Sequence, residues 1–118
     1  MRKITRDAVD AFRCGYSFNR DNTEVVVASG PAALLLHGNK IAERSFVDGS
    51  MFTKLDDCGW QTVTTKERLN GVLDVFVARY YLYQSKHVWY ISTERGDFEW
   101  LGAAMFKDGE LLYTEENN

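Results

Sequence analysis

Cys58-Gly59-Trp60-Gln61-Thr62-Val63-Thr64-Thr65-Lys66-Glu67-Arg68-Leu69-Asn70-Gly71 reads as a turn, an aromatic anchor and a capped helix in one run, and the fold is read outward from it. Thr64 stands three residues before Glu67, the spacing of a capping box, in which the hydroxyl takes an orphan backbone donor and the carboxylate reaches back to the cap. Glu67 also places negative charge where the helix dipole favours it. Leu69, Val72, Leu73 and Phe76 recur at three- and four-residue spacing, the apolar face of an amphipathic helix. Asn70 and Gly71 are poor helix formers, so the helix is expected to be two or three turns long, with Gly59 and Gly71 flanking it. Asp56-Asp57-Cys58-Gly59 is turn chemistry, and Trp60 directly after it is the expected core anchor between helix and sheet.

The chain before this unit opens with a second helical stripe, Ile4, Ala8, Ala11 and Phe12, with Thr5 as its cap, Gly15 as its stop, and Arg2, Lys3, Arg6 and Arg13 mostly on the outer side. Four extended segments follow: Glu24–Ala28, Ala33–His37, Lys40–Phe46 and Met51–Leu55. Ser29-Gly30-Pro31, Gly38-Asn39 and Val47-Asp48-Gly49-Ser50 separate them, a pattern for an antiparallel meander. After the helix, Val75–Tyr83 is rich in β-branched and aromatic residues and reads as a strand, with Gln84-Ser85-Lys86 turning it into a partner that begins at His87 and ends at Ile91. Phe98–Leu101, Ala104–Phe106 and Leu111–Tyr113 complete the strands, and the last five residues are polar and expected to fray. The fold class expected is α+β: one domain over residues 1–118, an antiparallel sheet of hairpins with two short helices packed on one side.

Composition narrows the function classes. A chain of 118 residues with 45% hydrophobic content can bury a real core, and seven Phe, six Tyr and three Trp suit a β-rich one. The net charge is −3, and residues 1–20 carry five basic against two acidic side chains, which falls short of the basic stripe of a nucleic-acid binder. Cys14 and Cys58 are too few for a disulfide scaffold or a zinc site, and both are expected to be free. Met1-Arg2-Lys3 leads into a polar helix and not an apolar run, so no signal peptide is expected, and no apolar stretch approaches the length of a membrane span.

The run from Gly59-Trp60 through Thr64-Thr65-Lys66-Glu67-Arg68-Leu69-Asn70 resembles a signature of short, uncharacterised bacteriophage proteins. Two further pieces resemble the same layout in the same order, Lys3–Phe12 and His37–Ala42, so the motifs span roughly the first two-thirds of the chain. The resemblance implies a phage source and, through it, the host cell cytoplasm; it carries no activity.

Chemistry-bearing residues are sparse. His37 and His87 lie fifty residues apart and neither pairs with a cysteine at metal spacing, Asp56-Asp57 reads as turn initiation, and no glycine-rich phosphate loop is present. Neither catalysis nor a metal or cofactor is expected. Binding remains, in three classes. The first is a protein-interaction module acting in host takeover or anti-defence, built on an aromatic and arginine-bearing surface. Its site residues are Lys66, Arg68 and Asn70 on the helix together with Arg79, Tyr81 and Trp89. Its expected partner is a host or phage protein, with self-association an alternative and no membrane. The second is a nucleic-acid binder stacking bases on Tyr80, Tyr81 or Trp89 with Lys66, Arg68 and Arg79 nearby, which the acidic net charge disfavours. The third is a small-nucleotide binder, which no motif selects.

Overall fold

The structure is a computed structural model and describes residues 1–76 and 79–116. Along them run α1 (Lys3–Cys14), β1 (Phe18–Arg20), β2 (Thr23–Val27), β3 (Ala32–Leu36), β4 (Asn39–Val47), β5 (Ser50–Asp56), α2 (Val63–Phe76), β6 (Tyr81–Ser85), β7 (Val88–Thr93), β8 (Gly96–Glu99), β9 (Gly102–Lys107) and β10 (Glu110–Glu116). Every strand pair is antiparallel, in a seven-stranded sheet of order β1-β2-β3-β4-β5-β9-β10 and a three-stranded sheet β6-β7-β8. This is the α+β class expected. The helices pack against one another, α1 also on β1, β2 and β3, and α2 also on β4 and β6.

Hairpin chemistry sets the register. His37-Gly38, Asp48-Gly49 and Asp108-Gly109 each place both central residues at positive φ, the type I′ turn whose twist matches the flanking strands. The β6–β7 hairpin uses Lys86 and His87 in the same way, at φ 50° and 67°, without glycine. His87 therefore sits in the turn instead of heading a strand.

The inner face of the large sheet is a row of apolar side chains: Val25, Leu34, Ala42, Leu55 and Ala104 are neighbours across five strands, and all are buried. A bulge in β4 opposite Leu34 and Leu35 lets Ile41 and Ala42 both turn inward. Ala8, Val9 and Phe12 of α1, Leu69, Val72 and Leu73 of α2, and Leu82, Trp89 and Ile91 of the small sheet close over that row as one cluster. Burying each large member contributes about 1.5–3 kcal/mol.

Several local expectations are corrected. The cap of α1 is Arg2, without a side-chain cap bond, and Thr5 is fully buried between the helices. In α2 the cap moves from Thr64 to Thr62, whose hydroxyl accepts the Thr65 N–H at 3.1 Å and whose carbonyl accepts the Lys66 N–H at 3.0 Å. Glu67 reaches across to α1 instead. The helix passes through Asn70-Gly71 and runs 14 residues. A Cβ on Gly71 would lie 2.5 Å from Thr5 Cγ2 and 3.3 Å from Val9 Cγ2, so the glycine marks a close helix crossing and not a helix end. Val75 and Phe76 belong to α2, the strand begins at Tyr81, and Val77 and Ala78 lie outside the described residues. Trp60 is 60% exposed: its N–H closes the turn onto the Asp57 carbonyl, and its ring is left outside the core. The anchoring indoles are Trp89 and Trp100, 2% and 3% exposed. The polar end does not fray at Thr114, since Thr114, Glu115 and Glu116 pair with Ala104, Ala103 and Gly102; Asn117 and Asn118 lie outside the described residues.

Candidate partner-binding surface

Helix α2 divides its polar residues between two faces. Lys66 and Asn70, four apart, turn toward β6 and solvent, while Thr65 and Arg68 turn inward beside Leu69 and Val72. Arg68 is 1% exposed and so is no surface cation. Its Nη1 donates to Thr5 Oγ1 at 2.7 Å and to Glu67 Oε1 at 2.5 Å, its Nε to Thr23 Oγ1 at 3.2 Å, and its Nη2 reaches Asn22 Oδ1 at 3.5 Å. Burial would raise the Glu67 carboxyl, but hydrogen bonds from Thr5, the Arg2 backbone and Arg68, with the Arg68 charge, hold it below the usual range. Arg68 is thus a buried tie between α2, α1 and β2.

Asn70 is likewise committed internally. Its Nδ2 donates to the Leu82 carbonyl at 3.0 Å and its Oδ1 accepts the Leu82 N–H at 2.7 Å, so the side chain imitates a strand and clamps β6 to α2. Trp89 is buried beneath and offers no stacking platform, although Lys66 Nζ sits 5.8 Å from its ring centre. Arg79 is exposed but holds Glu94 at 3.1 Å and Glu110 more closely still, and those two carboxylates raise its pKa. Tyr80 is buried, and Tyr81 is 54% exposed.

Three of the six expected residues do meet. Lys66, Asn70 and Tyr81 line a cavity of about 570 Å³ together with Met1, Val63, Glu67 and Asp74. On the other side of the first turn of α2 lies a second cavity of about 480 Å³, floored by Leu36 and Ile41 and walled by Trp60, His37 and Thr62. Between them the surface leaves Met1 50%, Trp60 60% and Val63 79% exposed. Sequence reasoning missed Met1 and Val63 and assigned Trp60 to the core. The available signal was Val63 itself, an apolar residue off the stripe of Leu69, Val72 and Leu73.

Nucleophilic chemistry finds little here. Cys14 and Cys58 are both free. Burial, followed by the charges of Asp56 and Asp57, pushes the Cys58 thiol up, away from the reactive thiolate. Asp57 is buried as the organiser of its turn: Oδ1 accepts the Gly59 N–H at 2.7 Å, and Oδ2 accepts Trp100 Nε1 at 2.9 Å and Gln61 Nε2 at 3.1 Å. Asp56 Oδ1 accepts the Cys58 N–H at 2.7 Å, so the pair initiates the turn, as the sequence suggests. Among the described residues no group of three His, Cys, Asp or Glu side chains is placed to hold a metal ion.

Comparison with known proteins gives one family. The sequence profile described as Kyanoviridae Gp96 protein matches residues 1–112, which carries the likeness through the aromatic C-terminal third that the three motifs do not reach. Neither a curated protein nor a solved structure matches the chain. The chain belongs to the Kyanoviridae Gp96 family, a family of phage proteins.

Proposed function

We propose that this member of the Kyanoviridae Gp96 family is a non-enzymatic phage accessory protein that binds a host or phage protein through the surface around the first turn of α2. The observation that carries the reading is the exposure of Met1, Trp60, Val63 and Tyr81 about that turn, with a cavity on either side. Large apolar side chains left in water beside concave surface cost free energy that burial against a partner recovers, and aromatic residues dominate such interfaces. The polar groups nearby favour binding over catalysis, because Asn70, Asp57 and Arg68 are all held by partners within the fold. A nucleic-acid role is weakened by the burial of Trp89 and Arg68 and by Glu67 and Asp74 in the cavity wall. Among the described residues no helix is long and apolar enough to cross a membrane, and action in the host cell cytoplasm accords with the phage family.

The test is affinity capture from infected-cell lysate, with and without nuclease, comparing wild type with the Trp60→Ala, Val63→Ser double variant. Both residues are exposed, so the melt should change by no more than about 0.5 kcal/mol in stability per site. A protein retained by wild type after nuclease and lost by the variant supports the reading. Equal recovery by both, or capture that nuclease abolishes, overturns it.

A further inference from the structure

We infer that the outer face of the three-stranded sheet binds an extended protein segment bearing arginine or lysine side chains. This rests on the protein-binding reading above and names the chemistry of the partner. Tyr81 and Tyr83 alternate on β6, and Tyr90 of β7 lies directly opposite Tyr83. The Tyr83 and Tyr90 rings stack at 5.5 Å with 22° between planes, and Tyr81 joins them at 6.0 Å from Tyr83. Beneath this face Leu82, Trp89 and Ile91 are buried, so the ladder stands on core and not on a loop. Strand β8 adds Glu99 opposite Tyr90 and Asp97 opposite Ser92.

The electrostatics select the ligand. The register turns Tyr81, Tyr83, Ser85, Val88, Tyr90, Ser92, Asp97 and Glu99 to this face, which gives two carboxylates and no cation among the described residues of these strands. Four cations stand near its margins. Lys86 and Arg95 lie in the two hairpin turns, Arg79 is held by Glu94 and Glu110, and Lys66 sits over Trp89. Tyr83 Oη donates to Asp97 Oδ2 at 2.5 Å; that bond, with smaller contributions from burial and nearby charge, pushes the phenol up to about 12, so the ring is neutral and fixed in place. Electron-rich ring faces beside carboxylate charge attract guanidinium and ammonium groups and repel phosphate. An extended chain repeats roughly every 6.6 Å per two residues, close to the 6.0 Å between the Tyr81 and Tyr83 rings along β6, so two alternate cationic side chains can meet the Tyr81 ring and the Tyr83–Tyr90 pair. Tyr81 also lines the cavity beside α2, which makes the two surfaces continuous.

The test uses fluorescence anisotropy with three labelled probes: a peptide alternating arginine and serine, the same peptide with glutamate for arginine, and oligothymidylate. The arginine peptide should bind at least roughly tenfold more tightly than the glutamate peptide, with affinity falling as salt rises. Tyr90→Ser and the Asp97→Asn, Glu99→Gln double variant should each weaken it several-fold, with Glu99→Lys, at an exposed position, as a variant checked first for an unchanged melt. Equal binding of the two peptides, no saturable binding, or no response to Glu99→Lys overturns the inference, as does tighter binding of oligothymidylate. If the arginine peptide fails while the Trp60, Val63 variant still loses its lysate partner, protein binding stands and only the basic-segment assignment falls. If the peptide binds while the lysate result fails, the basic-segment assignment stands and only the surface around the first turn of α2 falls.

Discussion

A guanidinium that is 1% exposed forces its neighbours to be what they are. Arg68 donates to oxygens of Thr5, Thr23, Glu67 and, more loosely, Asn22, so removing one of the closer acceptors weakens the pairing of a buried charge. Arg68→Met would strand Glu67 beside an apolar stem. Glu67 keeps 24% of its side chain in water, so the loss belongs at the lower end of the range for broken buried pairs, about 3 kcal/mol by urea denaturation at neutral pH. A variant within a few tenths of wild type would show that the cluster does not hold the helices. The same cluster sets an acid limb. Glu67 is depressed in the folded state, so its contribution is fully present above its unfolded pKa of about 4.3 and is lost as pH falls through the lower folded value. The stability difference between wild type and Glu67→Gln should therefore stay constant from neutral pH to about 5 and shrink only below about 4. A difference that stays flat to the lowest pH at which the protein folds would contradict this.

At the scale of the element, α2 owes its place to two residues that ordinarily weaken helices. Gly71→Ala gains about 1 kcal/mol of helix propensity but pushes a methyl against Thr5 and Val9, and overpacking of that kind costs about 1–3 kcal/mol. Thr5 cannot rotate away, because its hydroxyl is bonded to Arg68 and Glu67. The melting temperature should fall, and a rise would mean that α1 slides aside freely. Asn70→Ala removes both bonds to the Leu82 backbone and should cost about 1–3 kcal/mol, with faster hydrogen exchange at the Leu82 amide as its local signature. These two residues also explain which part of the fold was legible. Turn chemistry such as Asp48-Gly49 and Asp108-Gly109 depends on local φ and could be read directly. Gly71 and Arg68 are decided by what lies across the fold, and local propensity assigned both wrongly, as it did Trp60. Thr65, Arg68, Leu69 and Val72 do follow helical spacing, but two polar members conceal the inner stripe. Lys66 and Tyr81 were legible as surface because nothing in their spacing places them on an apolar face, whereas the exposure of Trp60 was hidden by the ordinary preference of indole for burial.

The whole molecule sets two separate sheets around a single buried cluster, and its unfolding tests whether they act as one unit. Leu82, Trp89 and Ile91 of the small sheet share that cluster with Val9, Phe12 and Leu34 beneath the large one. Trp100 ties them again, its N–H donating to the Trp89 carbonyl at 2.9 Å and its indole nitrogen to Asp57 at 2.9 Å. A small sheet that opened alone would expose two indoles and break the Asn70 clamp, and three strands without a covered face have little stability of their own. Both sheets should therefore unfold in one transition. Trp60→Phe removes the exposed indole, leaving fluorescence to report Trp89 and Trp100, while far-ultraviolet circular dichroism reports the backbone of both sheets. The urea midpoints from the two signals should coincide. A fluorescence midpoint clearly below that of circular dichroism would mean that residues 81–99 open first, and the tyrosine ladder they carry would then rest on a separately unfolding support.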